Sequence, residues 1–245
     1  LNTNNKRMQI QKVSIIHKQS IKLEGWYGYI IDLKIKVQNK SINAKDVLFS
    51  NGELITTDLQ DLDTGESLKD TIVPNLSAVY YNKAHLIAGN YKTKNKIVIF
   101  SDPLCPACQA IVPDIIKYVN KNPKEIGLYY YHFPLLRLHP AADALSRLMI
   151  ASKEKGIKNI EQKVYETDFS KYFKSSQKDD EVILKGFNKE FKTNITLHEI
   201  QTEKIKDDIL HDIEMGDNVL VNSTPTIFIN GKKDKTQKQY KNLGK

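Results

Sequence analysis

The sequence predicts a chain of mixed class, α+β and α/β. It divides into a small β-rich region over residues 1–66, a connecting helix over 67–90, and an α/β domain over 91–245 with a helical insertion at about 137–215. Three observations carry this reading. Residues 1–66 hold short apolar runs with alternation and turn chemistry, as strands require. Residues 67–90 place apolar side chains at helical spacing. From Lys96 onward the order is strand, helix, strand, helices, strand, which suits a sheet covered by helices.

In the first region, Trp26 to Val37 passes into strict alternation from Asp32, the mark of a half-buried strand. Asn39-Lys40-Ser41 is turn chemistry. Asp46–Phe49 and Glu53–Thr57 flank Asn51-Gly52, a strong short-range hairpin signal. This region has no cysteine and no histidine after His17, and it reads as structural. In the second, Leu68, Ile72, Leu76, Val79, Tyr80, Leu86 and Ile87 suit a helix interrupted at Pro74 and ending near Gly89.

In the third region, Lys96–Ser101 is a strand that leads to Cys105. Pro106 to about Asn120 is a helix with Ala110, Ile111, Ile115, Ile116 and Val119 inward. Leu128–Phe133 is a second strand. Residues 140–152 form an amphipathic helix with Pro140 at its first turn. Residues 157–215 are mainly helical, with Ile200, Ile205, Ile209 and Ile213 striping the last helix. Strand 226–230, a turn at Asn230-Gly231 and a polar tail complete the chain.

Composition narrows the function classes. At 245 residues the chain is long enough to bury a real core, and its hydrophobic fraction of 40% is ordinary for a globular protein. No run approaches the roughly 18 consecutive apolar residues of a membrane span. The net charge of +8 comes from lysine, six of them between Lys232 and Lys245. Only Arg7, Arg137 and Arg147 are arginines, so the pattern is a solvated lysine-rich surface and not a nucleic-acid face. No apolar signal region follows Leu1, so either a signal peptide has been removed or the chain has been trimmed.

The two cysteines form one motif, Cys105-Pro106-Ala107-Cys108, between a strand and a helix. Helix N-termini carry partial positive charge and free amides, which stabilise a thiolate at Cys105. Cys108, one turn further, is the more buried resolving thiol. Pro106 suits the first helical turn, and neither it nor Ala107 supplies charge. A zinc site would need four ligands, and His132 and His139 show no ligand spacing, so no metal is expected. A structural disulfide across two residues would close too short a loop to stabilise much. Thiol–disulfide exchange is the chemistry this motif favours, with the redox-active pair itself in place of any cofactor.

Other residues weigh less. Asp102 is a solvated turn residue or a cap on the active-site loop, the former favoured. His132 and His139 read as structural or surface histidines. Tyr129, Tyr130 and Tyr131 read as half core and half surface. Ser223-Thr224-Pro225-Thr226 forms a second loop able to meet the first.

Phe100 to Cys108 resembles the active-site segment of the periplasmic Dsb thiol oxidoreductases, the DsbG/DsbC group most of all. Pro113 matches the kink proline of that helix in thioredoxin-like proteins. Thr224-Pro225 resembles the family's cis-proline loop, which lies beside the nucleophile and pairs with substrate peptide. The resemblance implies a thioredoxin-like catalytic domain, an N-terminal dimerisation domain, and a homodimer with its sites facing a cleft. It also implies a periplasmic enzyme acting on cysteines of exported proteins and served by a membrane redox partner (DsbB-like or DsbD-like). Two positions depart from the wider family: Ile99 replaces the buried acid six residues before the first cysteine, and Ala107 is an unusual third motif residue. Oxidase is the favoured direction, with isomerase or reductase as the alternative. A holdase that binds unfolded chains independently of redox is a third reading.

Overall fold

The computed structural model describes residues 8–37 and 40–244, and its N-terminal unit is built of strands. β1 (Met8–Ser20), β2 (Tyr27–Val37), β3 (Lys40–Ser50) and β4 (Ile55–Thr56) form an antiparallel sheet in sequential order. Val37 pairs with Lys40, and the expected turn residue Asn39 lies outside the described residues. The Asn51-Gly52 hairpin forms, but with the four-residue loop 51–54: Phe49 pairs with Thr56 and Ser50 with Ile55. Asn51 Oδ1 accepts from the Glu53 and Leu54 amides, and Gly52 takes φ +98°, which explains both residue choices.

Ile30, Ile31, Ile35, Val47, Phe49 and Ile72 form the buried core of this unit. Ile72 lies so close over Gly28 that a Cβ there would collide with it. The chain divides at Pro74 into units Leu1–Pro74 and Asn75–Lys245, not at residues 66 and 91.

The helix expected over 67–90, interrupted at Pro74, does not form. The segment is three 3-10 turns, Leu68–Thr71, Ala78–Tyr81 and Lys83–His85, followed by β5 (Leu86–Gly89). Pro74 removes an amide and keeps the preceding residue out of the helical region. Ser67 and Asn82 then offer their side chains to the amides of Lys69 and Ala84, so local caps compete with a longer helix. The apolar spacing was real, but it serves a strand and packed turns.

In the second unit, β6 (Asn95–Ser101) lies parallel to β7 (Ile126–His132) and antiparallel to β8 (Thr226–Ile229). With β5 and β9 (Lys232–Lys233) the sheet order is β5-β7-β6-β8-β9. Ile97, Val98, Ile99 and Phe100 are fully buried, as a near-continuous apolar run in a covered strand demands. α1 (Pro106–Lys121) follows β6, and it turns Val112 and Pro113 inward with Ile115, Ile116 and Val119. Ala110, expected inward, is exposed, and Ile111 is half-buried.

The insertion comprises α2 (Ala142–Glu154), α3 (Ile160–Tyr165), α4 (Asp180–Phe191), α5 (Leu197–Ile200) and α6 (Glu203–Asn218). Ile200 belongs to α5, and the inner stripe of α6 is Ile205, Ile209, Asp212 and Gly216. A capping box at Thr196 and Glu199 starts α5, and the Thr202 hydroxyl caps α6. Asn230 and Gly231, at φ 49° and 86°, make the tight turn from β8 to β9. The expected polar tail is therefore partly structured, ending in a 3-10 turn that buries Tyr240. Among the described residues, no helix is long and apolar enough to cross a membrane.

Ile72→Ala should destabilise the N-terminal unit by roughly 2–5 kcal/mol, the usual range for deleting a buried aliphatic side chain. Calorimetry would show its transition lowered while that of residues 75–245 stays in place.

Candidate active site

β6 runs buried to Ser101, and the chain then turns through Asp102-Pro103-Leu104 to Cys105, the N-cap of α1. Pro106 takes the first helical position, where no amide is needed. Asp102 is fully buried, so the solvated-turn reading gives way to a structural one. Its Oδ1 accepts from the Leu104 amide at 2.7 Å, and its Oδ2 from the Leu135 amide at 2.8 Å and from His139 Nδ1 at 3.0 Å. One carboxylate thus ties the cysteine turn to the loop after β7.

The second loop meets the first. The Thr224–Pro225 peptide bond is cis, and the Cys105 thiol donates to the Thr224 carbonyl across 3.3 Å. Gln237 Nε2 donates to the Pro225 carbonyl and Thr226 Oγ1 to that of Ser223, which hold this loop from behind. Cys105, Cys108, Thr224, Pro225 and Asp102 are therefore gathered in one place. Pro106 and Ala107 stand exposed on the first turn.

The cysteines are free thiols of opposite character. Cys105 keeps 8% exposure and Cys108 none. The Cys108 thiol donates toward the Cys105 sulfur, the amides of Cys108 and Ala107 point at it, and the Thr224 hydroxyl adds to them. These donors outweigh burial and bring Cys105 down to about 5. The Thr224 hydroxyl is buried and closes no hydrogen bond in the thiol state, so its proton is free to turn to the Cys105 thiolate. Burial and the neighbouring sulfur push Cys108 strongly upward, so it stays a thiol while Cys105 ionises.

Several groups behind the site were not legible beforehand. Tyr129, Tyr130 and Tyr131 are all buried, with none at the surface. Tyr130 Oη meets Tyr165 Oη at 2.7 Å, and Tyr165 donates to Ser101 Oγ at 2.7 Å. Tyr165 is 64 positions from Ser101 and sits in the insertion, so no local pattern pointed to it. His132 is buried and burial lowers it to about 4, which keeps the imidazole neutral. His139 is half-buried against Asp102. Among the described residues, no three His, Cys, Asp or Glu side chains gather as metal ligands.

A strand ending at a CxxC helix N-terminus, faced by a proline loop, defines a thiol-redox protein of thioredoxin-like fold. A family model described as thioredoxin matches residues 81–245. The chain belongs to that family, and its site is that of a thiol:disulfide oxidoreductase. Solved structures agree on the fold. A thioredoxin-like oxidoreductase from Silicibacter pomeroyi DSS-3 is 16% identical at a TM-score of 0.51, covering 67% of this chain and 92% of that one. Proteus mirabilis ScsC in a transitional conformation is 18% identical at 0.51, covering 67% and 72%. A periplasmic thioredoxin-like protein from Salmonella enterica serovar Typhimurium is 20% identical at 0.50, covering 68% and 91%. No curated protein matches the sequence.

Three outcomes follow for the thiols. Cys105→Ser should abolish disulfide exchange, measured by insulin reduction. Alkylation of Cys105 should rise through a midpoint near pH 5, where an unperturbed thiol titrates near 9. Because the folded value is depressed, the thiolate stabilises the reduced protein fully above about pH 9, and that stabilisation is lost as pH falls through 5. Melting curves of the reduced protein across that window should show the decline.

Proposed function

We propose that this chain is a periplasmic thiol:disulfide oxidase that introduces disulfides into exported proteins. The observation that carries the direction is the stabilised Cys105 thiolate. Anything that stabilises the reduced pair makes its disulfide a stronger oxidant, and three kinds of donor converge on that sulfur. A substrate thiolate attacks Cys105 of the disulfide, Cys108 leaves, and a second substrate thiol displaces Cys105 to complete the substrate disulfide. A membrane redox partner (DsbB-like in this direction) reoxidises the pair, and no cofactor besides the cysteines takes part.

Unfolded exported chains suit the surroundings. Leu136 and Leu138 are exposed on the loop that Asp102 anchors beside the cysteine turn. The residue before Pro225 presents its carbonyl to Cys105, where an extended substrate segment would pair. The N-terminal unit exposes Val13, Ile15 and Ile42, aliphatic side chains suited to a homodimer contact. A two-unit dimer of the DsbC/DsbG type favours isomerase, with a DsbD-like reductant, as the second reading. Light scattering on the intact chain should return twice the 28.1 kDa protomer mass.

Equilibration with glutathione tests the direction. The oxidase reading expects a potential of roughly −120 mV, and a value of roughly −270 mV would turn the assignment to reductase or isomerase.

A further inference from the structure

Three successive carbonyls of the proline loop have three different partners. The Ser223 carbonyl accepts from Thr226 Oγ1 at 2.7 Å, and the Pro225 carbonyl accepts from Gln237 Nε2 at 3.0 Å. The carbonyl between them, that of Thr224, accepts from the Cys105 thiol at 3.3 Å. Ser223 and Pro225 are thus held by the protein, and Thr224 faces the reactive sulfur. Thr226 is buried and paired with Phe100 of β6, so its grip on Ser223 comes from within the sheet. The grip on Pro225 comes from the chain that follows β9.

That chain is shaped to deliver one side chain. Asp234 is buried, and its Oδ1 accepts from the Thr236 amide at 2.9 Å and the Thr236 hydroxyl at 2.7 Å. Its Oδ2 accepts from the Gln239 amide at 2.9 Å. The Asp234 amide donates to the Ile227 carbonyl at 2.8 Å, which pins the turn to β8. Inside this turn Gln237 sits at φ 56°, in the left-handed region that a residue with a Cβ enters at a cost. Glycine or asparagine would suit that backbone better. What glutamine supplies there is reach: its amide spans twelve positions of sequence to the Pro225 carbonyl.

We infer that Gln237 is a positioning residue for substrate: by holding the Pro225 carbonyl, it fixes the Thr224 carbonyl at the height where an extended substrate segment pairs beside Cys105. The inference rests on the substrate pairing proposed above for Thr224. A strand-like partner binds through main-chain hydrogen bonds, which weaken steeply once the acceptor drifts out of line. Gln237 acts through the loop and donates to neither cysteine, so it governs recognition and leaves the exchange chemistry unchanged.

Single-turnover reduction of the oxidised protein by an unstructured peptide with two cysteines reads this role. The Cys105–Cys108 disulfide becomes two thiols as the two peptide thiols become a disulfide. Dithiothreitol, which performs the same exchange without a peptide backbone to pair, is the control. Gln237→Asn suits a positive φ but is one methylene too short, and Gln237→Glu keeps the length but is ionised at neutral pH and has no proton to donate. Both should raise the half-saturating peptide concentration about fivefold, the worth of one hydrogen bond. The plateau rate and the dithiothreitol rate should stay at wild-type values. Gln237→Lys restores a donor, on a residue type that holds positive φ at Lys192 of this chain, and should recover most of the loss. Wild-type half-saturation in both Gln237→Asn and Gln237→Glu, an equal loss with dithiothreitol, or no recovery in Gln237→Lys would overturn the inference while the pairing at Thr224 stands. A peptide that never saturates the wild-type protein would overturn that pairing and the inference together, with the dithiothreitol rate still reporting the cysteines.

Discussion

Burial of β6 between β7 and β8 is the constraint on which the site depends. The strand carries Ile97 to Phe100 in full burial and then ends at Ser101, so every reactive group is placed relative to a rigid, paired backbone. Two residues of irregular chain separate Asp102 from Cys105, too few to wander. Cys105 therefore meets the helix start at one height, and Cys108 falls one turn inside, directly behind it. On the other flank, β8 is hydrogen-bonded to the same strand, so its leading residues Thr224-Pro225 arrive beside Cys105 by the same logic.

Opposed effects at two neighbouring sulfurs give the pair its chemistry. Desolvation disfavours a thiolate at both, yet it wins only at Cys108. Cys105 has amides at a helix N-terminus, a thiol donor and a hydroxyl. Cys108 has fewer donors, deeper burial and a competing anion next to it. The asymmetry lets one sulfur act as nucleophile at neutral pH while the other is held in reserve as a thiol.

Asp102 shows how a buried polar side chain is made useful. Alone in a dry interior it would be costly, but two amides and an imidazole satisfy its oxygens. The result is a tether between the cysteine turn and the Leu135–His139 loop, a connection between segments 33 residues apart. Loops that carry function ordinarily need such anchorage, because their own backbone pairing is sparse.

The CxxC motif, its helix, the strands around it and the proline loop were legible in the sequence, because strand periodicity, helix-start chemistry and motif spacing are all local signals. The Asn51-Gly52 hairpin was legible for the same reason. The helix expected over 67–90 shows the limit: apolar spacing does not distinguish a helix from packed turns once Pro74 and side-chain caps intervene. Asp102's burial, the cis geometry at Pro225 and the Tyr130–Tyr165–Ser101 file were decided by tertiary structure alone. Each depends on groups brought together from distant parts of the chain, and hydrogen-bond satisfaction in a dry interior is a property of that assembly, which no short window of residues encodes.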